Sequence, residues 1–148
     1  MRKLLLIMML TSGAACQPED QQPGFWLSGE VQTTLPEDWS FTKGHREIYI
    51  EVGTPYLIPH SVTIWCAENA GELFVAANRP ESKNWPGWVV DRPDVKLKIG
   101  DGVYPVTLQE MNNPIEIAPV QAAYALKYQV EMGGDDEVRY WRVLPRSG

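Results

Sequence analysis

Residues 95–99 read Val-Lys-Leu-Lys-Ile, Gly100-Asp101-Gly102 follows, and Val103-Tyr104-Pro105-Val106-Thr107-Leu108 resumes a strand-like run. A period of two puts Val95, Leu97 and Ile99 on one face, and Gly-Asp-Gly can reverse the chain at once. The pair predicts an antiparallel hairpin. Pro105 has no N–H to give a ladder, so its strand is expected to lie at an edge or a bulge there.

The same pattern recurs upstream. Residues 47–52 alternate, with Ile48, Ile50 and Val52 opposite Glu47, Tyr49 and Glu51, which predicts a half-exposed strand. Residues 53–60 are a loop bracketed by prolines. A strand is expected over residues 62–68, a turn at Asn69-Ala70-Gly71, and an antiparallel return over residues 72–77. Ser82 is expected to cap a short helix over residues 83–92, with Pro86 in its first turn and Pro93 ending it. Residues 117–132 predict a longer helix closed by Gly133-Gly134. Its Val120, Tyr124 and Tyr128 form one apolar stripe read as core contacts. Residues 137–144 predict the last strand, with Arg139 and Arg142 on opposite faces. Phe25, Trp26 and Trp39 come from an aperiodic segment and are expected to pack over the sheet. Asp91, Asp94 and Asp101 read as capping and turn residues.

The order of elements predicts an α+β, mainly β, antiparallel domain over residues 25–148. With 148 residues, 44% of them hydrophobic, the chain can bury one core and needs no second domain. The first residues read differently. Met1-Arg2-Lys3 is basic, residues 4–10 are an apolar run too short to span a bilayer, and Thr11-Ser12-Gly13-Ala14-Ala15-Cys16 follows. Small residues before a cysteine resemble a bacterial lipobox, with Gly13 where an aliphatic residue is usual. The expectation is a lipoprotein signal peptide over residues 1–15, acylation of Cys16, and a polar, Pro-rich tether over residues 16–24. The alternative is an ordinary secretory signal with an incidental cysteine. The lipoprotein reading places the domain in the bacterial cell envelope, lipid-anchored to a membrane and facing the periplasm or exterior.

Loss of Arg2 and Lys3 leaves 11 basic residues against 19 acidic, a formal charge of −8. So acidic a domain is a poor partner for nucleic acid. With Cys16 acylated, Cys66 has no partner for a disulfide, and within Ile64-Trp65-Cys66-Ala67 it reads as a small core hydrophobe. No Cys/His cluster has metal spacing, and no nucleophile elbow or Gly-rich phosphate loop is present. His45 and His60 lack an obvious carboxylate partner, which weighs against metal ligation or general-base work.

Pro80, Trp85, Arg92-Pro93-Asp94-Val95 and Gly100-Asp101-Gly102-Val103-Tyr104-Pro105-Val106 line up in order and without gaps with a known pattern. Residues 61–107 thereby resemble the split β-barrel superfamily that binds FMN or the deazaflavin F420, in particular its deazaflavin-dependent nitroreductase-like branch. The resemblance implies an antiparallel six-stranded split β-barrel with a short helix after the third strand and a longer helix before the last strand. It implies a cofactor, FMN or F420, with its phosphate near Arg79, Ser82 and Lys83, its ring near Trp85 or Trp88, and His60 among the candidate contacts. It also implies a possible homodimer.

Two departures stand out. Glu81 occupies the place of a lysine expected to meet the cofactor's anionic tail, and Gly53-Thr54-Pro55-Tyr56-Leu57 replaces a basic Gly-Arg-Lys-Ser-Gly loop. Arg79 and Lys83 then read either as phosphate ligands or as solvated loop charges. Likewise Trp85 and Trp88 read as ring contacts or as packing. Two functions follow: a membrane-tethered hydride-transfer oxidoreductase, or a non-catalytic envelope lipoprotein that keeps the barrel, without a cofactor, as a ligand-binding or interaction module.

Overall fold

The computed structural model describes residues 24–147. The expected signal peptide, Cys16 and nearly all of the expected tether lie outside the described residues. In chain order the strands are β1 (Glu30–Val31), β2 (Ile48–Val52), β3 (His60–Ile64), β4 (Cys66–Asn69) and β5 (Glu72–Asn78). Helix α1 (Trp85–Asp91), the hairpin β6 (Asp94–Ile99) and β7 (Gly102–Met111), helix α2 (Pro114–Tyr128) and β8 (Val138–Leu144) follow. The sheet runs β3-β2-β6-β7-β8-β5-β4, antiparallel throughout, and β1 adds in parallel to β7. There are thus eight strands rather than six, and the ladder is not closed.

The two extra strands have separate causes. Strand β1 is a two-residue pairing made by the N-terminal segment (Glu30 opposite Gly102, Val31 opposite Val103). The other arises because the strand expected over residues 62–68 breaks at Trp65. Ile64 pairs with Ile48 of β2, whereas Cys66 pairs with Val75 of β5. One residue thus carries the chain from one end of the sheet to the other, which forces the sheet to curl until its two edge strands meet.

A break in a strand leaves backbone groups without a ladder, and burial makes each one costly. Helix α2 supplies the partners. The Tyr124 hydroxyl donates to the Trp65 carbonyl (3.1 Å) and lies 3.3 Å from that of Phe74. The Tyr128 hydroxyl accepts the Cys66 N–H (3.1 Å), and its proton is shared between the carbonyls of Arg46 (2.7 Å) and Cys66 (3.0 Å). The Lys127 ammonium donates to the Cys66 and Thr42 carbonyls at 3.0 and 3.1 Å. Positions i, i+3 and i+4 share one helix face, so three consecutive contacts follow from one docking.

The sheet has apolar residues on both faces. Inside the curl, Ile48, Ile50, Val52, Leu97, Val106 and Trp141 pack with Trp85 and Val89 of α1 and with Trp39. On the outer face, Ala67, Phe74, Met111 and Tyr140 pack under Val120, Tyr124 and Tyr128 of α2. The predicted stripe of α2 is therefore core. The hairpin turn places Gly100 at φ +59° with Asp101 after it, which suits glycine at the first central position.

Pro105 stands opposite Lys96 of β6. On its other side β7 is bare, because Val103 is the last partner of β1 and Thr107 the first of β8. The expected edge is thus local.

Other expectations shift. Helix α2 begins at Pro114, where the Asn113 side chain accepts the Ile115 N–H (3.0 Å), and ends at Gln129, whose φ of 56° is left-handed. Gly133-Gly134 therefore lie beyond the helix rather than terminating it. Glu51 is buried, not half-exposed: the segment preceding β1 covers it, the Leu27 N–H bonds to its carboxylate (2.7 Å), and Lys96 lies 3.5 Å away. Trp39 packs in the core as expected, but Phe25 and Trp26 are solvent-facing.

Tyr128→Phe orphans the buried Cys66 N–H and is expected to cost about 1–3 kcal/mol in denaturant unfolding. Burial pushes the Cys66 thiol above its ordinary 9.0 and the Tyr124, Tyr128 and Tyr140 hydroxyls above 10.0. The folded state therefore holds these protons more tightly than the unfolded chain. Stability is expected to be level up to about pH 9 and to fall as pH rises further, read from urea midpoints across that range.

Candidate functional site

Where the edges of β3 and β5 face each other across the seam, a groove of about 830 Å³ opens. Its volume lies within the range of cofactor and small-ligand sites, about 300–1,000 Å³. Val62, Ile64 and Trp65 form one wall, Ala76, Ala77 and Asn78 the other, and Tyr124 lies between them. Ser82, Lys83, Asn84 and Trp85 close one end, and the loop of Val130, Glu131, Met132 and Gly133 bounds another side. Glu47 and His60 complete the lining.

Four of the six predicted site residues therefore meet at this groove: His60, Ser82, Lys83 and Trp85. Arg79 and Trp88 do not line it. Arg79 sits at φ 48°, a left-handed backbone uncommon for a residue with a Cβ, and its Nε lies 3.9 Å from an Asp136 carboxylate oxygen. Trp88 meets Tyr56 and His60 edge-on, with ring centroids 6.4 and 5.4 Å away.

Local structure decides what the groove residues offer. Pro80–Ser82 forms a single 3-10 turn, and Ser82 does not cap α1: its hydroxyl donates to the Arg79 carbonyl (2.7 Å). Asn84 holds the cap position, without a side-chain bond to the helix. The Lys83 ammonium donates to the Asn78 carbonyl, which leaves two of its N–H groups free of that bond. Trp85 is buried against Trp141, centroids 5.0 Å apart, so it presents little ring to a ligand. Trp65 is the more available aromatic. It stacks on Tyr128 at 4.1 Å with planes 5° apart, and the Arg46 guanidinium carbon lies 6.0 and 5.6 Å from the two ring centroids.

The surfaces suit a flat ring better than an anionic tail. The walls are apolar, whereas the charged residues that line the groove are Glu47, Glu131 and Lys83. Of these three, Lys83 is the cation the groove offers to an anionic group. Glu81 is exposed in the 3-10 turn and does not line the groove.

Neither Tyr124 nor Cys66 is poised as an acid–base or nucleophilic catalyst. Burial holds Tyr124 protonated, and its proton is committed to main-chain carbonyls. The buried Cys66 thiol has its pKa raised by desolvation, only partly offset by the Lys127 ammonium 3.5 Å from its sulfur, which disfavours a thiolate nucleophile. Among the described residues, no group of three His, Cys, Asp or Glu side chains could hold a metal ion. The groove residues missed in sequence include Glu47, Trp65 and the 130–133 loop, whereas Asn78 and Asn84 belong to the 78–85 junction where the sequence places a ligand. No local signal marks the missed residues, because the curl of the sheet alone brings them together.

No protein-family model matches the sequence, and no curated protein matches it either. Solved structures do. A conserved hypothetical protein from Mycobacterium tuberculosis aligns with a TM-score of 0.59 at 15% identity, covering 72% of this chain and 77% of its own. HutZ, the heme storage protein from Vibrio cholerae, aligns at 0.55 and 12% identity, covering 73% and 87%. An FAD-binding protein from Mesorhizobium loti aligns at 0.50 and 13% identity, covering 71% and 84%. The chain has the split-barrel fold. In this split barrel the groove lies where β3 faces the end of β5 that extends past its β4 partner.

Trp85 and Lys83 should separate as core and surface. Trp85→Ala is expected to lower unfolding free energy by about 3–5 kcal/mol through lost burial, whereas exposed Lys83→Ala should stay within about 0.5 kcal/mol. Denaturant titration of both variants reads the contrast.

Proposed function

We propose that the split barrel binds a planar aromatic cofactor of the flavin or deazaflavin type, FMN or F420, in the seam groove and acts as a hydride-transfer oxidoreductase. The groove itself carries this reading: its volume, its apolar walls with Trp65, and Lys83 at one end. The chemistry of hydride transfer is the cofactor's own when bound. Val62, Ile64 and Trp65 would hold the ring and exclude water from one side. Ser82 and Lys83 would meet the phosphate, with Asn78 and Asn84 offering hydrogen bonds at the rim. His60 completes the candidate contacts, and Trp88 meets it edge-on with ring centroids 5.4 Å apart.

The Mesorhizobium loti protein of the same fold is described as FAD-binding, which favours a flavin-type ligand. The reading extends to a chain acylated at Cys16 and held at a membrane of the cell envelope, and to a possible homodimer. A second reading, a barrel retained as a non-catalytic binding module, is favoured by one observation. Glu47 and Glu131 face the groove while Arg79 is turned toward Asp136, so attraction for an anionic tail is weak.

The test is a visible spectrum of the purified full chain, followed by titration with FMN and with F420. Binding of either is expected, and a colourless protein that binds neither overturns the oxidoreductase reading. Lys83→Ala is expected to weaken binding about tenfold, the worth of one charge-assisted hydrogen bond, and Glu131→Gln to strengthen it. Arg79→Ala should matter less than Lys83→Ala, and equal affinity in wild type and Lys83→Ala would refute the phosphate contact.

A further inference from the structure

Five large apolar side chains stand in solvent around one hairpin tip. Tyr56, Leu57 and Ile58, on the loop joining β2 to β3, are 71%, 102% and 49% exposed, and Phe25 and Trp26 are 61% and 64% exposed. The two segments are tied together at the base of the hairpin. The Ser61 N–H donates to the Gly24 carbonyl (3.5 Å), and the Ser61 hydroxyl donates to the carbonyl of Phe25. The loop is held in shape by Thr54, whose hydroxyl bonds the carbonyls of Tyr56 (3.0 Å) and Ile58 (2.7 Å). The apolar side chains are thus presented outward on a structured tip.

This patch is unlike the rest of the chain in charge. Residues 24–28 and 53–60 contain no Asp, Glu, Lys or Arg, in a protein in which 22% of residues are charged. Glu51 beneath it is neutralised by the Leu27 N–H and by Lys96. Arg92 packs against Gly53 at the hairpin base. Trp, Tyr and Phe beside Leu and Ile, free of carboxylates and with a cation behind them, match the chemistry of a bilayer interface, where aromatic rings sit at headgroup depth.

The course of the chain points the same way. The described residues begin at Gly24, on the patch. Cys16 lies eight residues before Gly24, with the apolar run of residues 4–10 farther upstream. Eight residues span at most about 29 Å when extended, so attachment of that chain end to a bilayer keeps this face within about that distance of it. We propose that the β2–β3 hairpin tip together with Phe25 and Trp26 docks on a lipid bilayer surface, fixing how the domain stands on the membrane.

The test uses the full chain in every arm, so that attachment through the N-terminal residues is common to all. The protein is reconstituted on phosphatidylcholine vesicles with and without phospholipid brominated in its acyl chains, and tryptophan emission is recorded. Bromolipid is expected to quench the wild-type protein clearly more than Trp26→Phe, whose remaining quenching would come from Trp88 beside Tyr56. The triple variant Tyr56→Ser, Leu57→Ser, Ile58→Ser should lose most of that quenching while keeping the wild-type unfolding midpoint. Equal quenching in wild type and Trp26→Phe overturns the proposal, as does full quenching in the triple variant. A concentration-dependent dimer that the triple variant converts to monomer, with no quenching by bromolipid, overturns it in favour of a second copy of this chain as the occupant.

Discussion

At Trp65 the chain leaves one end of the sheet and enters the other, and the backbone groups freed in that step must be satisfied away from water. Two tyrosine hydroxyls and one ammonium do so, all from one face of α2. The consequence reaches beyond a local repair. Because Ile64 is bound to β2 and Cys66 to β5, the outermost strands of a seven-strand path are joined by a single residue, and the sheet must curl. The curl creates the inner core, and α2 seals the outer face while it holds the switch in place.

The groove is the other product of the same constraint. A ladder that closed fully would fill the space between β3 and β5 with hydrogen bonds; the single-residue switch instead leaves an opening lined by both edges. The walls are apolar because they continue the core pattern of their strands. The charged rim comes from connections, the turn before α1 and the loop after α2, where the chain is free to vary without disturbing the sheet. On the proposed reading, selectivity for a ligand would rest on Lys83, Glu47 and Glu131 rather than on the barrel.

Much of the sheet was legible in the residues. Strict alternation in residues 95–99 and the Gly-Asp-Gly turn specified the β6–β7 hairpin, and Val120, Tyr124 and Tyr128 announced the buried stripe of α2. Proximity was legible only in part. The Pro80 to Trp85 stretch was placed at the site from its motif, and Ser82, Lys83 and Trp85 do line the groove. Arg79 was drawn away because its left-handed backbone aims it at Asp136 across a loop 57 residues downstream, a contact no local pattern encodes. Phe25 and Trp26 read as core on hydrophobicity alone, yet nothing in the fold reaches out to cover them.

The sequence by itself determined most of the strands, the two helices and the acidic balance, since each follows from periodicity, turn chemistry or composition acting over a few residues. Tertiary structure alone decided that residues 62–69 form two strands rather than one. The alternation continues unbroken through Trp65, and only the competition between β2 and β5 for backbone hydrogen bonds, settled by the tyrosines of α2 some sixty positions later, tells the chain to change partners there.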